Sequence, residues 1–320
     1  IVVKTSAGSL CNLLRKLEID RVIILSIFTP IFILYPVAEI EVLARKEIII
    51  FSFFLTYLLI PRSSIFKTLS FIIFLTLGML VWEPIIFFFP LFFLFEIIEK
   101  NIEKLNFELI KIILCFFPSL FIALVILFDP LSIEEHEKMA FILKNEFNQN
   151  CYMSCSRLLT VPIQKNIMEV TNQYSLEIFI RYSLIIIIGF FPLFILFKNS
   201  FLKNKKLFLF KHFNKPIYTF YLAFPFIIAL FAIGYDWGRW VNISYVILAL
   251  IYFKLILSNY LFIDSEKLRQ NFLYKIKKIT FIFLFIIFCF GWNPKTVISG
   301  DVASFPGYRI PYKAFKILSN

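Results

Sequence analysis

The sequence predicts an all-α integral membrane protein, a bundle of about nine transmembrane segments with one large extracytoplasmic loop. Three observations predict it. Sixty per cent of the 320 residues are hydrophobic, well above the ~45–50% apolar content of a soluble domain. These residues fall in long runs, not in the ~10-residue alternating stretches of a transmembrane barrel. Lysine and arginine gather between alternate runs, as in a chain whose basic loops stay on one side of a membrane.

Nine apolar segments can be counted, at 22–38, 48–60, 68–82, 85–98, 112–128, 178–197, 217–234, 241–258 and 279–292. A helix needs about 20 residues to cross a ~30 Å hydrocarbon core. The second segment has only 13 and is expected to be tilted, re-entrant or buried in the bundle, closed by Pro61. Pro84 suits the first turn of the fourth segment, and Pro90 is expected to kink it. Residues 1–21 hold four basic residues and no apolar core, and no signal peptide can be judged from them. A chain opening on Ile1 is expected to lack its true start and one or more upstream helices.

Charge sets the expected orientation. With the N-terminal stretch in the cytoplasm and sides alternating, cytoplasmic pieces carry 20 lysines and arginines and the opposite side 11. The sharpest contrast sets 198–216, with six lysines and no acid, against 129–177, with seven acids and four bases. Sidedness therefore accounts for the +12 net charge without nucleic acid. The expectation is a single membrane domain, with the N-terminal stretch cytoplasmic and the tail 293–320 on the opposite side and laid against the outer surface.

The loop 129–177 is the one sizeable extramembrane piece. Ser132 and Glu135 fit a capping box that starts an amphipathic helix over Ile133 to Phe147. Such a helix could roof a substrate groove. Cys151 and Cys155 lie in the same loop, four residues apart, and are expected to form a disulfide in an oxidising compartment. The other cysteines and the two histidines, His136 and His212, show no zinc-ligand spacing, so no cofactor is expected from them.

Chemistry concentrates at Tyr235-Asp236-Trp237-Gly238-Arg239-Trp240, a polar and aromatic break between two 18-residue apolar runs. A carboxylate and a guanidinium at that depth must be paired or serve a ligand. No GxGxxG, P-loop, GxSxG or HExxH motif is present, so nucleotide hydrolysis is excluded as a reading. What remains is acids and arginines expected on one outer face. Arg239, Arg45 or Arg181 could stabilise a diphosphate leaving group. Asp236, Glu39, Glu41 or Glu83 could serve as the base. Trp237, Trp240 and Trp82 could pack on sugar faces. Three readings compete: a transferase acting on lipid-linked sugars, a lipid or glycan transporter, and a structural subunit whose polar turns fix hairpins.

The Phe-rich spans, the large outer loop and the acid-Trp-Gly-Arg-Trp turn resemble bacterial O-antigen and capsule polymerases. That resemblance implies joining of undecaprenyl-diphosphate-linked sugar units at the periplasmic face, among polysaccharide-assembly proteins and membrane lipids. Glu39-Ile40-Glu41 is also similar to the acidic pair in the first outer loop of polyprenyl-phosphate-sugar glycosyltransferases. That second likeness would imply a divalent metal.

Overall fold

The computed structural model describes residues 21–38, 45–62, 66–128, 131–151, 163–210, 216–221, 223–298 and 309–319. Prolines decide where the apolar runs become helices. The first run gives α1 (Arg21–Ile27), a series of turns, and the short α2 (Tyr35–Ala38). Pro30 lies between them, and a proline there lacks the amide and clashes with the preceding turn. α3 (Glu47–Leu59) ends at Ile60, whose ψ of 128° is the extended backbone favoured ahead of a proline.

α4 (Phe66–Val81) is followed by an extended Trp82 and a 3-10 turn, Glu83–Phe88. α5 (Phe89–Glu99) then restarts with a proline in its first turn. Pro90 thus divides the fourth segment where a kink was expected. α6 (Phe107–Phe128) carries Pro118 internally. In the loop beyond it, α7 spans Ile133–Phe147 with the Ser132–Glu135 capping box formed in both directions. α8 (Ile163–Thr171) leads to α9 (Leu176–Lys198), which is capped by the Ser175 side chain.

After α9 come β1 (Ser200–Leu202), α10 (Pro216–Tyr221), α11 (Phe224–Ile233) and α12 (Trp237–Leu257). The seventh predicted segment is therefore two helices, the second with a proline in its first turn. β2 (Leu261–Ile263), α13 (Ser265–Arg269), α14 (Phe272–Lys275), α15 (Lys278–Phe290) and α16 (Arg309–Ser319) complete the described chain. The all-α expectation holds apart from one small antiparallel ribbon, in which Ser200 faces Ile263 and Leu202 faces Leu261.

Three helices among the described residues, α6, α9 and α12, are long and apolar enough to cross a membrane. α3, α4, α11 and α15 are apolar but shorter, so the described residues show three such helices and not the nine segments counted in the sequence. α6 leaves Ile113, Leu114, Phe117, Phe121 and Phe128 more than half exposed. A stripe of that size suits hydrocarbon better than water. α12 is the centre of the bundle, with every residue from Trp240 to Ala249 buried, and it packs on α3, α5, α9 and α11.

Between apolar helices in lipid, close packing replaces the hydrophobic effect as the main attraction. Phe54, Phe74 and Phe92 from α3, α4 and α5 meet with ring centroids 5.0 to 5.2 Å apart. Gly189 lets α9 approach its neighbours closely. A Cβ there would lie 2.6 Å from Ile31 Cδ1 and 3.1 Å from the Trp292 ring.

Contacts define two ends of the bundle. At one, Lys203 N donates to Tyr260 O at 2.9 Å, and Arg62 donates to Tyr260 Oη and Lys100 O, both at 3.0 Å. At the other, the Trp82 and Trp240 rings sit 5.8 Å apart and Ile298 N donates to Tyr235 O at 2.9 Å. α12 joins the two ends. Its 21 residues separate Asp236 and Arg239 from the 203–206 lysines by roughly 30 Å at 1.5 Å rise per residue.

Candidate functional site

The site begins where α11 stops. Gly234 is extended, Tyr235 and Asp236 turn the chain, and α12 starts at Trp237. Arg239 therefore belongs to the first helical turn of α12, not to a free hairpin. Asp236 occupies the N-cap position but caps no amide. Its Oδ2 instead accepts from Arg239 Nη1 at 2.7 Å, a contact that three-residue spacing on a helix permits.

The Nη2 of Arg239 pairs with Glu47, the first residue of α3. Two helix N-termini thus each present a carboxylate to one guanidinium, and each acid also lies where the helix dipole favours negative charge. The Glu47 side chain is 3% exposed, Arg239 15% and Asp236 28%. Burial pushes the Asp236 carboxyl above the usual carboxylate range, and nearby Arg45 opposes the shift. Glu47 Oε2, Arg239 Nε and Trp240 Nε1 are buried and have no hydrogen-bond partner among the described residues. Buried polar atoms are normally satisfied, so three at one place mark it as functional or hydrated.

The remaining predicted residues divide clearly. Arg45 stands close enough to act electrostatically on both Asp236 and Arg239. Glu83 is exposed and makes no ion pair among the described residues. Glu39 and Glu41, expected as a base or a metal-binding pair, lie outside the described residues. Among the described residues no group of three or more His, Cys, Asp or Glu could hold a metal ion.

Arg181, expected at a diphosphate, is 2% exposed. It donates to the Ile298 carbonyl, with Nη1 3.5 Å from Glu177 Oε1. The three tryptophans are 2 to 7% exposed, so they pack on protein and present no open face to a sugar. Trp237 meets Tyr174, Phe179, Tyr182 and Phe231 with centroids 5.3 to 5.5 Å away and donates its Nε1 to Phe231 O at 2.8 Å.

No family model, curated protein or solved structure matches this chain.

Two flanking pieces frame the site. The segment after α15, described to residue 298, lies across the start of α12, and Tyr182 Oη donates to Lys295 O and Val297 O, both at 3.1 Å. Only glycine fits at 238, because a Cβ would overlap the Lys295 carbonyl. From the loop, α8 packs on α11 and Tyr174 Oη donates to Phe231 O at 2.7 Å. Cys151 is disulfide-bonded and its Sγ lies 3.5 Å from His136 Nε2. Cys155, its expected partner, lies outside the described residues.

Sequence reasoning missed two things. One is Glu47 as the partner of Arg239. Its signal was an acid placed at the start of an apolar run of otherwise marginal length. The other is a buried cluster at the lysine-rich end. Lys67 Nζ lies 3.2 Å from Glu99 and Lys100 Nζ 3.2 Å from Glu96, with Tyr57 Oη bonded to Glu96 and 3.5 Å from Glu99. Its charges balance and Lys67 also donates to Tyr57 O at 2.9 Å. That arrangement clamps α3, α4 and α5 together. The acids at 96 and 99, followed by Lys100, were the available signal.

Proposed function

We propose that this chain joins sugar units carried on a polyprenyl diphosphate, at the membrane face where Glu47, Asp236 and Arg239 meet. The reading takes the protein as crossing a bacterial inner membrane nine times, several crossings being made by broken helices. It sets the lysine-rich end in the cytoplasm and the Asp236 end in the periplasm. The observation that carries it is a charged group assembled from α3 and the start of α12, with buried polar atoms left for a ligand.

Asp236 takes the proton from the attacking sugar hydroxyl. The hydroxyl oxygen then bonds to the anomeric carbon of the second unit as the bond from that carbon to the diphosphate oxygen breaks. Polyprenyl diphosphate leaves with the electron pair, and its charge is met by Arg45. Arg239 holds the Asp236 carboxylate in place, since both ends of its fork are already engaged. A carboxyl raised by burial is better matched to accepting a proton than an ordinary aspartate.

The same engagement of Arg239 favours a second reading, in which the group only ties α3 to α12. Asp236→Asn in cells separates the two. Transfer predicts loss of long polymer and accumulation of single lipid-linked units at unchanged protein level, with partial recovery by Asp236→Glu. Full-length polymer in the Asp236→Asn strain would sink the transferase reading and leave the structural one.

A further inference from the structure

A second place on the molecule has the shape of a ligand site and lies away from Asp236. A groove of about 390 Å³ runs along α9 between Ile186 and Phe197, walled on the other side by α10, α11 and Leu248. Its lining is almost wholly apolar, dominated by Phe190, Phe191, Phe194, Phe197, Tyr221 and Phe224. Its far wall is formed by the last residues of α10 and the first of α11. It opens to the outside of the bundle, where Ile187 is 64% exposed and Phe191 and Phe194 are nearly 40% exposed.

At the lysine-rich end the groove runs into a second, polar hollow. The two share Phe191 and Phe194, and the second is completed by Lys198, Asn199, Lys267, Gln270 and Asn271. Lys267 is tied to Asp264 at 2.5 Å. Lys198 makes no ion pair among the described residues, so it carries the uncompensated positive charge of the hollow. From Ile186 to Lys198 is roughly 18 Å of helix at 1.5 Å rise per residue. That is close to the depth of one leaflet, half of a ~30 Å hydrocarbon core.

We infer that the groove and its polar mouth form a binding site for an anionic phospholipid. One acyl chain lies along the phenylalanines of α9 and the phosphate faces Lys198 at the headgroup plane. An apolar channel of leaflet length, ending in a net positive charge, is complementary to that lipid and not to a zwitterionic one. The inference does not rest on the transferase reading, because no residue of the Asp236 site takes part.

Native mass spectrometry of the detergent-purified chain, with phosphatidylglycerol or phosphatidylcholine of the same acyl composition, tests it. Phosphatidylglycerol should be retained about fivefold better, the worth of one lysine facing an anionic lipid. Lys198→Glu should remove that preference. Ile187→Trp, which narrows the open wall, should lower retention of both lipids, and the circular-dichroism melt of each variant shows that the fold persists. Equal retention of the two lipids by the unaltered chain would overturn the inference, as would a preference that survives Lys198→Glu. Displacement of phosphatidylglycerol by an equimolar polyprenyl phosphate would also overturn it, by giving the groove to an isoprenoid chain.

Discussion

Removing the charge of Glu47 tests the one contact on which the geometry of the Asp236 site depends. Breaking a buried ion pair by taking away one partner costs ~3–5 kcal/mol, because the other charge stays behind unpaired. Two facts lower that figure here. Arg239 is 15% exposed, and it keeps Asp236 at 2.7 Å after Glu47 is neutralised. The expected loss for Glu47→Gln is therefore about 2–3 kcal/mol, or roughly a hundredfold in the unfolding equilibrium. Reversible unfolding in detergent, by chemical denaturant or by a steric-trap assay, measures it. A double-mutant cycle with Arg239→Gln then isolates the pair from the transfer of each side chain, and a coupling of at least about 1 kcal/mol is expected for contacting residues. A single-mutant loss below about 0.5 kcal/mol, the size of an ordinary surface change, would refute the reasoning. So would a cycle that closes to zero.

Other outcomes follow from the same structure. Gly238→Ala forces a methyl group against the Lys295 carbonyl, and overpacking of this kind costs ~1–3 kcal/mol. The segment after residue 293 should then be cut faster by protease than in the unaltered chain. Ser132→Ala removes one half of the capping box, worth about 1 kcal/mol, so amide exchange in the first turn of α7 should speed up about fivefold. Lys67→Met leaves Glu99 buried without its cation and should cost ~3–5 kcal/mol in the same unfolding assay. The pH dependence has a definite sign. Asp236 is raised in the folded chain, so its contribution to stability is complete below the unfolded value of ~3.9 and is lost as pH rises through the folded one. Melting temperature should fall across that interval, and Asp236→Asn should flatten the decline.

Much of this was legible in the sequence, and the failures have physical causes. Local signals read well, since the Ser132–Glu135 box places α7 with both bounds at Ile133 and Phe147. The short run ahead of Pro61 also becomes a 13-residue helix as expected. Hydropathy alone misjudged continuity. It does not register that Pro30 and the proline at the start of α11 break the helix while leaving the run apolar. Partner choice was the other weakness. The Asp236–Arg239 pair is local and readable at a spacing of three. The Glu47–Arg239 contact joins residues 192 positions apart, and only packing of α3 on α12 can reveal it. The tryptophans misled for a related reason, because an indole near a charged turn can face lipid headgroups, a ligand or the protein core, and sequence does not choose among them.

Contacts between early and late parts of the sequence bear on how the chain is made. The Arg21 guanidinium on α1 bonds to the carbonyls of Leu273 and Ile276 at 2.6 and 2.9 Å, and Arg181 reaches the carbonyl of Ile298. Synthesis runs from the N-terminal side, so both cations are made long before their acceptors leave the ribosome. Until then their guanidinium groups must be served by water or by other groups. Truncation ahead of residue 273 would leave both cations without these carbonyl acceptors, Arg181 keeping only Glu177 at 3.5 Å.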